Sequence, residues 1–283
     1  TKVSQYTATG KELIILKPFD GELSALSRSK LLWVFGAFAI WVAVMVLLLI
    51  FTPIDPSKLN REEVPPKQKS KPEEDSFGQL LKEALLPNRN NWPLAMIADL
   101  LLLYFAVMTL WGVNPMSAST VELFEWGGLQ RQALQQGEWW RLPASLFMHN
   151  GLMHLGLNFI LLIMSMTFVR KLYGVSKTAL IYLVSGLVSI GVMILLVDPA
   201  VWVGDSGAIM GLVGAVLAVA AVHRRRKIVK RNELRDILMV GGMMLFIGIT
   251  SEISNIVHIS GLITGVVLGL LLYKPESRSK RAK

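Results

Sequence analysis

Cysteine is absent from this 283-residue chain. Disulfides, thiol nucleophiles and cysteine-ligated metal sites are therefore excluded, while the compartment stays open. Charge is scarce as well: 17% of residues are Asp, Glu, Lys or Arg, against 53% hydrophobic. A soluble domain of this length would show amphipathic stripes. Here the apolar stretches run long enough to cross a bilayer. Residues 31–51 hold no charge at all, and similar segments recur around 92–111, 147–169, 179–197, 208–222, 237–250 and 256–273. Each is a candidate membrane helix, and the Gly, Ser and single polar residues within them are of the kind that helices tolerate where they pack on one another.

Basic residues are missing from alternate connections. The region 113–146 has only Arg131 and Arg141, and 198–205 and 251–255 have neither Lys nor Arg. Between them, Arg170, Lys171 and Lys177 share one short loop, seven basic residues fall within 224–235 and five within 274–283. This alternation is the positive-inside pattern. It accounts for much of the net charge of +9 by flanking membrane segments, and leaves a nucleic-acid patch the weaker reading. The block His223–Arg235 is placed to touch anionic lipid.

The chain divides into a polar segment 1–30 with a short apolar patch at Leu13–Leu16, an anchor at 31–51, a linker at 52–91, a core at 92–273 and a basic tail at 274–283. The anchor is too long for a signal-peptide core and is expected to be retained. Five prolines among mixed charges in 52–76 predict disorder. After them Ser76 and Gln79 resemble a capping box, with Phe77, Leu80, Leu81, Ala84 and Leu85 on one face of a short helix lying on the membrane. The core charges put 52–91 and the C-terminus on the cytoplasmic-type side. This conflicts with the five basic residues of 1–30, which the anchor would then place outside.

Polar groups inside spans are costly and are functional candidates by default. Counting residues from the basic flanks sorts them by depth. Ser206 lies 18 residues from Arg224, His258 lies 16 from Lys274 and His154 lies 16 from Arg170. At the helical rise these are heights of roughly 24–27 Å above the inner boundary, with Asn158 about one turn deeper on the face of His154. Three helices thus bring Ser, His and His/Asn to nearly one level, a few Å below the outer surface. The apolar stretch after Ser206, Ala208–Val222, is about 22 Å long as a helix and too short to span alone. Its outer end is expected to stop inside the membrane and leave a recess for water.

These residue types fit acyl transfer. A serine hydroxyl needs a base, and an imidazole suits that role near neutral pH. The oxyanion needs donors, available from His154, Asn158 and the Ser206 amide at a helix start. No acidic residue is placed to complete a triad, so a Ser206–His258 dyad is expected. Gly261, Gly265 and Gly269 form one face of the last helix, and Gly207, Gly211 and Gly214 a similar face on its partner. Small residues allow the close approach that a direct Ser–His hydrogen bond requires.

Gly204-Asp205-Ser206-Gly207 resembles the G-x-S-G nucleophile motif of the rhomboid family of intramembrane serine proteases. His149, His154 and Asn158 fit that family's H-x4-H-x3-N pattern, and Trp140-Arg141 looks like the Trp-Arg pair of its long first external loop. His258, followed by Gly261 and Gly265, fits its last core helix. The resemblance covers about 92–273 and departs at Met210, where family members often carry an aromatic residue. It implies an all-α membrane protein with a six-helix core, here preceded by one extra transmembrane helix. It also implies cleavage of membrane-anchored substrates near the outer face, no cofactor, and an oxyanion site of His154, Asn158 and the Ser206 amide. A bacterial plasma membrane is the first expectation for its location, and the mitochondrial inner membrane the alternative.

Blander readings stand beside these. His149 is read as structural, and a metal site with His154 is disfavoured because a +5 spacing on one helix separates them by about 140°. Trp140 and Arg141 are read as loop anchors, His223 as interfacial and Glu252 as part of a short outer turn. Asp205 is read as a helix-terminal carboxylate and not as a third catalytic residue. Asp99, inside the first core span, is expected to make a satisfied structural hydrogen bond. A non-catalytic rhomboid-like protein that binds membrane clients is the alternative function, and a transporter ranks third.

Overall fold

A computed structural model of the chain describes residues 3–6, 12–15, 36, 40, 78, 81–82, 85–88, 91–197, 200–222, 228–249 and 252–274. Near the N-terminus, β1 (Val3–Tyr6) and β2 (Glu12–Ile15) form an antiparallel hairpin in the register Val3↔Ile15 and Tyr6↔Glu12. The apolar patch of the polar N-terminal segment thus falls mostly in a strand, a departure from a wholly α-helical chain. From residue 92 onward the named elements are all helices. Of the expected anchor only Gly36 and Ile40 are described, both helical and exposed. Of the amphipathic segment Gly78, Leu81, Lys82 and Leu85 are described as helical. The linker 52–76, His223 and the tail beyond Lys274 lie outside the described residues.

The core opens with α1 (Trp92–Leu110), which has a proline in its first turn, where a missing N–H costs nothing. The segment 113–146, expected as a plain external loop, contains α2 (Thr120–Glu125), α3 (Arg131–Gln135) and the start of α4 (Arg141–Phe147). A capping box starts α2. Glu122 N–H donates to Ser119 Oγ at 3.2 Å, and Ser119 N–H donates to the Glu122 carboxylate at 2.8 Å.

Next come α5 (Leu152–Tyr173) and α6 (Val175–Leu196), joined through Gly174. They are followed by α7 (Ser206–Val222), α8 (Arg231–Gly248) and α9 (Glu252–Leu272). The α5 start differs from the expected 147. Gly151 sits at φ +87° against the backbone of Met116, leaving no room for a Cβ and breaking the helical run. Glu252 begins α9 directly. Among the described residues, four helices are long and apolar enough to cross a membrane: α1, α5, α6 and the 255–272 part of α9. At 17 residues α7 is shorter, about 25 Å, and α8 carries charged residues in its first two turns.

The hydrophobic core is built around α7, whose residues from Ser206 to Val216 are all buried. It packs most extensively on α9 and α6, and also touches α5 and α8. The two glycine rows meet here. A Cβ on Gly261 would strike the Gly207 carbonyl, one on Gly265 the Gly211 carbonyl, and one on Gly214 the Leu262 carbonyl. Across α6, the Gly207 position is shared with Ser189 and that of Gly211 with Ser185.

A second apolar cluster, including Tyr104, Trp126, Met148 and Val203, ties α1 to the 113–148 region. Tyr104 donates its hydroxyl to the Trp126 carbonyl at 2.6 Å. Asp99 departs from expectation: its Oδ2 is buried with no hydrogen-bond partner among the described residues.

Candidate active site

Arg141 is the first residue of α4. It is fully buried and is bonded to groups of the surrounding loop. Its Nε donates to Glu138 Oε2 at 2.5 Å, and one terminal nitrogen donates to the Phe124 and Gly128 carbonyls at 2.6 and 3.0 Å. The guanidinium lies over the rings of Phe124 and Trp140. Burial disfavours its charge, and the bond and charge of Glu138 oppose that shift. Arg141 and Trp140 are thus an internal clamp on the loop, and neither lines the cavity described next.

Ahead of α7 the chain pairs with the first external loop. Leu129 and Trp202 exchange both backbone hydrogen bonds, at 2.9 and 2.8 Å, and Gly204 N–H donates to the Ser145 carbonyl at 2.9 Å. Gly204 follows at φ +122°, a backbone region that L residues rarely adopt, with its missing Cβ 3.1–3.3 Å from the His154 ring. This glycine turns the chain from this pairing into α7 without displacing that histidine.

Beside this turn lies a cavity of about 250 Å³. Its polar lining includes Ser206, His258, His154, Asn158 and Asn150; Leu123, Val201, Met244 and Ile247 supply apolar walls. Four residues singled out by depth therefore converge on one space, from α5, α7 and α9. Ser206 is 6% exposed and His258 2%, so both side chains face the cavity and little else.

The nitrogens of the three histidines are used differently. His154 Nδ1 accepts the Asn150 N–H at 3.3 Å. The proton of a neutral His154 then belongs on Nε2, beside Gly204, where it can donate into the cavity. His258 Nδ1 is buried and unpartnered among the described residues, close to Gly248 of α8, where a Cβ would come within 3.1 Å of it. His149 Nε2 meets Asp205 Oδ1 at 3.0 Å, and Tyr182 donates its hydroxyl to Asp205 Oδ2 at 2.8 Å.

Ser206 and His258 line one cavity with no hydrogen bond between them among the described residues; such bonds are often long before substrate binds and tighten later. One expectation is corrected. The rings of His149 and His154, expected on divergent faces of one helix, stand edge to face with centroids 4.9 Å apart. His149 lies in the turn before α5, so the helical spacing does not apply to it.

Tyr182, Asn150, Gly248 and Asn255 escaped the sequence reading. Depth counting hides Tyr182, which is five residues from Lys177 and far below the serine by backbone height, but reaches Asp205 through its long side chain. Asn150 and Gly248 carry no charge and follow no spacing rule. Among the described residues, Asn255 has a buried Oδ1 with no partner, beside Gly248 and one helical turn from His258.

The helices and the cavity define a polytopic membrane protein with a buried serine and histidine facing a common polar recess. The rhomboid domain family profile matches residues 136–275, and the chain belongs to the rhomboid family. It is similar to the rhomboid protease GluP of Bacillus subtilis, 34% identical over 166 residues, covering 58% of this chain and 32% of GluP. The putative rhomboid protease YdcA of the same bacterium is 30% identical over 143 residues, 50% of this chain and 71% of YdcA. Inactive RHOMBOID-like protein 8 of Arabidopsis thaliana is 34% identical over 170 residues, 58% of this chain and 48% of that protein. The chain thus spans less than two thirds of GluP and of the inactive plant protein.

Proposed function

We propose that this chain is an intramembrane serine endopeptidase that cleaves single-span membrane proteins in or near their transmembrane segments, without a cofactor. The observation that carries the reading is the single cavity lined by Ser206, His258, His154 and Asn158 from three helices. His258 takes the Ser206 proton as Oγ attacks the scissile carbonyl carbon. The oxyanion is held by the Ser206 N–H, the His154 Nε2–H and the Asn158 amide. His258 then returns the proton to the leaving amine, and water releases the acyl group by the reverse sequence. Gly204 and Gly207 shape the turn and the packing around the nucleophile, Gly261 and Gly265 bring α9 to α7, and His149, Trp140 and Arg141 support the frame.

In this reading α1 and α5–α9 are a six-span core within residues 92–273, preceded by the 31–51 anchor and the 52–91 linker. The site opens toward the extracytoplasmic side of a bacterial plasma membrane, with the mitochondrial inner membrane as alternative. The short α7 supports a recess that water can reach from one face.

The relative named inactive makes a non-catalytic client-binding role the second reading. The test is cleavage of a single-span reporter by purified protein, beside Ser206→Ala. Cleavage that disappears with Ser206 supports the protease. A folded protein that neither cleaves nor reacts with an active-site serine probe sinks it in favour of client binding.

A further inference from the structure

Asp205 occupies the helix-capping position of α7. Its backbone carbonyl accepts the Ala208 and Ile209 N–H groups at 2.9 and 3.1 Å. An aspartate here ordinarily turns its carboxylate back onto the free N–H groups of its own helix, at the second and third helical residues. For α7 these positions are Gly207 and Ala208, next to Ser206, and Ala208 N–H is already taken by the Asp205 carbonyl. The observed carboxylate does otherwise. It is fully buried, with Oδ2 held by the Tyr182 hydroxyl of α6 and Oδ1 held by His149 Nε2 from the turn before α5. Among the described residues, the N–H groups of Ser206 and Gly207 have no acceptor.

We infer that Tyr182 and His149 restrain the Asp205 carboxylate so that it does not cap α7, keeping the helix N-terminus open for the oxyanion formed at Ser206. This rests on the protease reading above. A carboxylate turned back onto Gly207 would occupy a first-turn donor and set a full negative charge beside the developing oxyanion, cancelling the field that the helix terminus supplies. The same arrangement braces the other oxyanion donor. His149, fixed by Asp205, presents its ring to His154 edge to face. Asp205, Tyr182 and His149 are therefore positioning residues: they touch no reacting atom and act through the Ser206 amide and His154.

The idea separates from a purely structural role by the sign of a double-mutant cycle. Tyr182→Phe removes one holder, and kcat should fall about ten-fold or more with KM little changed. Adding Asp205→Ala to that chain removes the carboxylate that would turn back, and most of the lost rate should return. Asp205→Ala alone should cost less than Tyr182→Phe. A structural network would instead give a double variant as slow as, or slower than, the worse single one, and that result overturns the inference. So does an unaltered kcat in folded Tyr182→Phe. If Tyr182→Phe does not fold, His149→Phe, which keeps a ring against His154 but cannot hold the carboxylate, replaces it in the same cycle.

A second readout needs no turnover: the amide proton of Gly207. It should move downfield in Tyr182→Phe, as expected for an N–H bonded to a carboxylate, and move back in the double variant; an unchanged position would also overturn the inference. Wild-type protein with no serine-dependent cleavage or probe labelling would sink the protease reading by itself, leaving the amide shifts to judge the restraint.

Discussion

Gly261 of α9 stands so close to Gly207 of α7 that a single added methyl would be driven into the Gly207 carbonyl. The contact lies one residue past Ser206 on one helix and three past His258 on the other, so the spacing of these helices also fixes the spacing of the proposed dyad. Gly261→Ala should cost about 1–3 kcal/mol of stability by overpacking and lower cleavage further by parting Ser206 from His258. Gly156→Ala and Gly242→Ala, with nothing within 4 Å of the added carbon, should leave melting temperature and rate nearly unaltered. If Gly261→Ala melted and cleaved like these controls, the close approach would have no bearing on catalysis.

His154 and Asn158 share the cavity with the nucleophile. Replacing either with alanine should lower kcat by about 10²–10³, the usual cost of one oxyanion donor, while KM stays within a few-fold. A change confined to KM would assign them to substrate binding instead.

Arg141 is paired with Glu138 inside the loop and does not line the cavity. Arg141→Ala should cost about 3–5 kcal/mol by stranding a buried carboxylate. Thermal unfolding in detergent should show that loss, while the fraction that remains folded still reacts with a serine probe. Normal stability combined with lost labelling would make Arg141 part of the chemistry.

Asp99 has a buried oxygen with no partner among the described residues, so its carboxylate contributes little to the fold through hydrogen bonding. Asp99→Asn should retain substantial activity and melt at the same or a higher temperature. Complete loss of cleavage by a folded variant would give Asp99 a functional role, with proton transfer the first to test.

Much of this was legible in one sequence because the membrane restricts where polar atoms can lie. Ser206, His258, His154 and Asn158 stood out as polar groups at one helical depth, and the glycine rows stood out by their spacing. Where helical counting stopped applying, the reading failed. Helical spacing does not reach His149, because α5 starts only at Leu152, after Gly151. The helices α2 to α4 lay in a segment with too few apolar residues to announce them. The Tyr182–Asp205 contact depends on side-chain reach, which backbone depth does not record. The pairing of Asp205 with His149 joins two residues that were each noticed and each explained separately.

The enclosure of α7 has a mechanical consequence. Because the residues of its first three turns are all buried, lipids would press on this helix through the helices around it. Those outer helices act as a sleeve: thinning or thickening of the surrounding bilayer is absorbed by their tilt, while the depth of Ser206 within the protein stays set by its neighbours. If the chain is the protease proposed above, membranes of different thickness should alter how a substrate presents its cleavage point more than they alter the cavity around Ser206.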